Sequence, residues 1–148
     1  MSEGRRLPEN RRAFLAFVEV TTRWSDNDVY GHLNNVVYYS FFDTAINQYL
    51  TESGALDIEN GQTIGLVAET GCTYISPVRF PQRVEAGIRV SHIGRTSVRY
   101  EVGIFLKDQP ATSAIGHFVH VYVDRNSRKP VPLPPHISRV VEKIVSKQ

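Results

Sequence analysis

The stretch "RWSDNDVYGHLNN", Arg23 to Asn35, followed at once by the apolar run "VVYYSFF", decides how this chain folds. Two aspartates, a glycine, a histidine and three asparagines fall within ten residues (26–35). A calcium loop of the EF-hand kind would start at Asp26, with Asp28 third and Gly31 sixth. Position five is then Tyr30, and the closing carboxylate position falls on Val37. The segment leading in is strand-like rather than helical, so calcium is excluded.

A transition-metal site would need Asp26, Asp28 and His32 to converge. A second histidine at helical spacing is missing, and the spacing of His92, His117, His120 and His136 offers no partner set. The plainest reading is a polar strand-to-helix turn, in which Gly31 supplies positive φ and Asn34 caps a helix starting at Asn35. The stretch holds more polar groups than a turn needs, however, and they sit against an aromatic helix start of Tyr38, Tyr39, Phe41 and Phe42. A buried helix N-terminus presents unpaired N–H groups and the positive end of a dipole. A carboxylate held just upstream by a glycine turn would face the same spot. Together they make an acyl-transfer site: a base or nucleophile plus an oxyanion hole.

Working outward, "FLAFVEVTTRW" before the loop (Phe14–Trp24) reads as a strand. From about Asn34 to Thr51 the period is helical. Val37, Phe41 and Ala45 lie on one stripe with Phe42, Ile46, Tyr49 and Leu50 beside it, an arc wide enough to predict burial on most sides. Gly54 stops the helix. Four β-rich runs follow, "TIGLVAETGCTYIS", "QRVEAGIRVSHI", "TSVRYEVGIFLK" and "ATSAIGHFVHVYVD". "HISRVVEKIVSK" then closes as a short amphipathic helix with Val140, Val141, Ile144 and Val145 on one side. The order predicts an α+β domain in which a long helix packs on one face of an antiparallel sheet. Such a sheet leaves edges exposed, so a homodimer or homotetramer is expected.

The chain of 148 residues fits one domain, 1–148, with about 1–12 as a flexible, arginine-rich leader. A net charge of +2 does not point to nucleic acid. No apolar run reaches membrane-spanning length and no signal-peptide pattern opens the chain, so a cytoplasmic protein is expected. The single cysteine, Cys72, precludes an internal disulfide and reads as a small buried thiol.

The run "SDNDVYGHLNNVVYYSFFD" resembles the D-x-D-x-x-G-H-x-N-N-x-x-Y pattern of hotdog-fold acyl-CoA thioesterases of the 4-hydroxybenzoyl-CoA thioesterase type. The resemblance extends through "YISPVRF", the turn "HIGRTS" and the strand "GHFVHVYVDRNSRKPVPLP". It implies a hotdog fold, an antiparallel sheet wrapped around one long central helix, and hydrolysis of an acyl-CoA to free acid and coenzyme A. It implies Asp28 as the catalytic carboxylate, by direct attack or by activating water, with the backbone amide of Asn35 as the oxyanion donor. Gly31 would admit the acyl group, while His32 and Asn34 would orient the loop and hydrogen-bond near the thioester. Tyr38 stands at the apolar acyl pocket. Arg95, Thr96 and Ser97 line the pantetheine channel or meet coenzyme A phosphates, or else form an ordinary hairpin. Arg125, Arg128 and Lys129 form a second positive cluster, either for the same phosphates or simply solvated. Asp26 braces the loop, Asp43 is structural, and Tyr74 and Pro77 serve packing and strand termination. Neither a metal nor a redox cofactor is called for. The competing readings are a thioesterase acting on acyl carrier protein, a hydratase or dehydratase on the same fold, and a non-catalytic acyl-CoA-binding module.

Overall fold

The computed structural model describes residues 6–146. Its strands are β1 (Ala16–Val20), β2 (Thr63–Tyr74), β3 (Val84–Ile93), β4 (Ser97–Leu106) and β5 (Ala114–Asp124), with helices α1 (Val37–Glu52) and α2 (Pro135–Glu142). All five strands join one antiparallel sheet in the order β1-β3-β4-β5-β2. The sheet curls around α1, the hotdog arrangement that the resemblance implies.

The helix lies against the sheet because Tyr38, Phe41, Phe42, Ala45, Ile46 and Leu50 are buried on one side. Ser40, Asp43, Thr44 and Gln48 are exposed, so burial covers the sheet-facing half rather than most of the circumference. The approach is closest at Gly116, where an added Cβ would stand 2.1 Å from the Phe42 ring. No side chain larger than hydrogen fits there unless helix and sheet separate.

Three boundaries depart from the sequence reading. The helix begins at Val37 rather than near Asn34, because residues 34–36 form a turn held by the Asn34 side chain, which accepts from the Val36 N–H at 3.0 Å. At the far end α2 stops at Glu142. Val145 then lies beside Val90 as a bridge partner instead of continuing the helical face; Lys147 lies outside the described residues.

The third departure concerns the leader. Glu9 pairs with the buried Arg89 at 2.7 Å, and that guanidinium holds the Glu9 carboxyl below its ordinary range. Arg89 also meets Glu101 at 2.8 Å. Arg11 reaches Glu85 at 2.9 Å and the Leu106 carbonyl at 3.1 Å. From Glu9 onward the segment therefore docks on the sheet, while residues 1–5 lie outside the described residues.

The two sheet edges differ. β1 is five residues long, whereas β2 runs for twelve with its outer edge unpaired among the described residues. That edge carries Leu66 at 39% and Val67 at 48% exposure, an apolar invitation of the kind natural sheets normally cover.

Candidate active site

The polar loop is held from both ends. Asp26 is almost fully buried and accepts the Arg23 N–H at 2.8 Å and the Arg23 guanidinium at 2.9 Å. Its own carbonyl accepts the Asn34 N–H at 2.8 Å. Asn27 and Leu33 form a bridge, so 28–32 is a tight reversal. Gly31 turns it with φ of +83°, and nothing stands within 4 Å of where its side chain would be. The loop is stapled to the chain after β2: the Leu33 N–H donates to the Val78 carbonyl at 2.7 Å, and the Phe80 N–H to the Asn27 side chain at 3.0 Å.

Within this reversal Asp28 is half-buried. Its Oδ1 accepts the Tyr30 N–H at 2.8 Å and, more loosely, the His32 N–H at 3.4 Å. These contacts fix the carboxylate and leave Oδ2 without a hydrogen-bond partner among the described residues. Across the turn the Asp28 N–H donates to the His32 carbonyl at 2.8 Å.

The amides at the helix entrance divide unequally. Those of Asn34, Val36 and Val37 donate to the Asp26 carbonyl, the Asn34 side chain and the Asn34 carbonyl. The Asn35 N–H, alone of these four, has no acceptor among the described residues. Asn35 belongs to the wall of a shallow depression of about 220 Å³, together with His32, Tyr38, Tyr74, Ser76 and Pro77. Asp28 is not part of that wall; it stands on the other side of the turn from His32.

Burial tunes the surrounding groups toward neutrality. The Tyr38 phenol is pushed up to about 12 and the Cys72 thiol up to about 11, both chiefly by desolvation. Cys72 is thus kept as a thiol, in keeping with the packing role read from the sequence. Tyr74 is raised too, again by burial first. Its hydroxyl donates to the Asn35 carbonyl at 2.7 Å, and its ring meets Tyr38 edge-on at 4.9 Å.

The structure therefore brings Asp28, Gly31, His32, Asn34, Asn35 and Tyr38 into one neighbourhood. Asn34 spends its side-chain oxygen on the turn itself. The hairpin Arg95, Thr96 and Ser97 is not there: Ser97 pairs with Val121, which pairs with Leu66, whereas the loop lies at the Tyr74 end of β2. Eight strand residues separate Leu66 from Tyr74, roughly 26 Å. Arg125 is likewise at the far end, its guanidinium clamped on the Ile58 and Glu59 carbonyls. Asp43 is exposed on α1 and accepts from Asn47, as a helix-surface residue would. Sequence reasoning undervalued Tyr74, whose signal was an aromatic at a strand end just before a proline. No group of three or more His, Cys, Asp or Glu side chains gathers among the described residues in a way that would hold a metal ion.

Comparison with known proteins gives the family. Residues 22–141 match the family described as the thioesterase-like superfamily. The crystal structure of the PA5185 protein from Pseudomonas aeruginosa PAO1 is similar at 48% identity and a TM-score of 0.93, over 95% of this chain and 99% of that one. A thioesterase from Thermus thermophilus, crystallised in complex with coenzyme A and Zn, is 29% identical with a TM-score of 0.74, over 89% and 95% of the two chains. The uncharacterized protein YsmA of Bacillus subtilis is 29% identical over 124 residues, 83% of this chain and 82% of its own.

Proposed function

The chain belongs to the thioesterase-like superfamily, and on that premise we propose that it is a cytoplasmic, homodimeric acyl-CoA thioesterase. The observation that carries the reading is the unused Asn35 N–H at the mouth of α1, one turn away from a carboxylate fixed through a single oxygen.

The thioester carbonyl oxygen accepts the Asn35 N–H, where the helix dipole adds to the hydrogen bond. As the carbonyl carbon becomes tetrahedral, negative charge grows on that oxygen. The free Oδ2 of Asp28 either attacks the carbon, giving an anhydride that water then opens, or takes a proton from the water that attacks. Both routes expel the coenzyme A thiolate, which gains a proton, and both leave the free acid. Gly31 and His32 border the entry, and Tyr38 and Tyr74 form the apolar and aromatic wall. The proposed chemistry calls on no metal or redox cofactor.

The dimer rests on the unpaired edge of β2. Two identical strands related by a two-fold axis pair antiparallel. Centred on the exposed residues 66–70, such pairing lays the Thr63 end of one copy beside the Tyr74 end of the other. Arg95, Thr96 and Ser97 of each copy then approach the other copy's loop, which supports their role toward the coenzyme A portion. No helix among the described residues is long and apolar enough to cross a membrane. Free-thiol release from a panel of acyl-CoAs tests the activity, and a panel left wholly intact would overturn it.

A further inference from the structure

A second cavity, of about 200 Å³, lies at the opposite end of α1 from the Asp28 loop. Asn47 and Leu50 of α1, Ile64 and Gly65 of β2, and His120 and Tyr122 of β5 line it. Thr63 and Arg125 also reach its wall, the Arg125 guanidinium being held by the Ile58 and Glu59 carbonyls. His120 differs from them: it is 3% exposed, and neither ring nitrogen has a hydrogen-bond partner among the described residues. Tyr100 and Tyr122 pack on the imidazole at 5.0 and 6.1 Å, but their hydroxyls bond to each other at 2.7 Å and do not serve it.

Buried polar groups are almost always paired, so an orphan imidazole in a cavity points to a ligand that completes it. The space before Nδ1 is kept open by the residue opposite, since a Cβ on Gly65 would stand 3.1 Å from that nitrogen. Desolvation keeps the ring neutral, pushing it down to about 4. A neutral imidazole offers one donor and one acceptor. A hydroxyl matches either nitrogen, because it both donates and accepts. A cavity of about 150 Å³ holds benzene, so this one has room for about six carbons and an oxygen.

In one copy the cavity begins some ten residues along α1 from its start, roughly 15 Å away across a filled core. Antiparallel pairing through β2 removes that separation, because Thr63, Ile64 and Gly65 of one copy come to lie beside Thr73, Cys72 and Gly71 of the other. We propose that the cavity of each protomer receives the distal end of the acyl group whose thioester lies on the partner's Asp28 loop, and that His120 selects acyl groups bearing a hydroxyl there. This rests on the thioesterase and dimer readings above and adds to them a substrate class and a specificity-determining residue.

The experiment compares kcat/KM for a straight-chain acyl-CoA and its ω-hydroxy counterpart of equal length. Wild type prefers the hydroxylated ester by at least about tenfold. His120→Phe keeps a ring for packing but removes both nitrogens, and Gly65→Ala fills the space before Nδ1; each brings the ratio close to one. Absence of a preference in wild type, or its survival in His120→Phe, overturns the assignment. Mixed dimers of Asp28→Asn with His120→Phe subunits keep one intact site if the cavity serves the partner, so their remaining activity shows the wild-type ratio. A ratio near one in those dimers overturns the crossing. Titrating wild type with the free ω-hydroxy acid, while following the imidazole signals by NMR, separates the two readings. If no ester is hydrolysed yet the His120 signals shift, the thioesterase reading falls and the cavity assignment stands; signals that stay put overturn the cavity assignment whatever the esters do.

Discussion

The hydroxyl of Tyr74 donates to the carbonyl of Asn35 at 2.7 Å, although the two residues lie 39 positions apart in the chain. The bond joins the end of β2 to the turn before α1 and fixes the backbone at Asn35, a residue of the depression's wall. Tyr74→Phe removes one hydrogen bond and keeps the ring against Tyr38. The expected result is a loss of about 1 kcal/mol in urea unfolding, with a several-fold drop in kcat/KM carried mainly by kcat. Unchanged kinetics would mean that the amide is positioned without it.

Asp26 and Arg23 form a pair with very unequal stakes. The carboxylate is buried, with 2% of its side chain exposed against 72% for Arg23. Asp26→Ala strands the Arg23 N–H and loosens the loop, at a cost of about 2 kcal/mol, a fall in Tm of roughly 6 °C. Arg23→Ala removes a contact made from the solvent-exposed, screened side and costs less than Asp26→Ala. Thermal melts of the two variants check the asymmetry, and equal losses would contradict it.

The exposed edge of β2 predicts assembly. Ala68→Arg places a charge at the centre of the pairing surface, where it would be buried opposite its own copy. Light scattering on the wild type should give a dimer or a multiple of it, and on the variant a monomer. A monomeric wild type removes the pairing on which the crossed sites depend.

His120 makes stability depend on pH in a defined window. Unfolded, the imidazole takes a proton below about 6.5; folded, burial delays this to about 4. Between those values the unfolded state binds more protons, so stability falls as pH drops from 6.5 toward 4, by about 3 kcal/mol in all. The neighbouring phenols do not titrate there: burial pushes Tyr122 up to about 12 and raises Tyr100 as well. Arg125 is the charged side chain at the cavity wall. Urea unfolding across this range should show a weaker pH slope in His120→Phe than in wild type. Identical slopes would mean that the imidazole is not held neutral by burial.

The strands and the long helix are legible in the sequence because their periods differ and each is long enough to display its own. Turn chemistry is harder to read. Asn34 caps a helix starting at Asn35 in the sequence reading; in the structure its side chain holds the turn at Val36, and the helix starts at Val37 with Val36 as its N-terminal flank and no side-chain cap. The Asp28 loop was accessible because its residues are neighbours in the chain. The hairpin Arg95–Ser97 reads as part of the same site in the sequence, but within one protomer it stands at the other end of the sheet, because a sequence does not say at which end of a sheet a turn will stand. His120 was hidden for the opposite reason: in "GHFVHVYVD" it occupies the inward alternation with Phe118 and Tyr122, and only the third dimension shows that nothing answers it.

In the proposed mechanism Asp28 drives thioester hydrolysis beside the Asn35 amide. Free-thiol release from a panel of acyl-CoAs is compared between wild type and Asp28→Asn, which is nearly isosteric and leaves the reversal able to fold. Wild type is expected to turn over at least one ester, with kcat at least about a hundredfold lower in the variant. Full activity in Asp28→Asn would contradict the account.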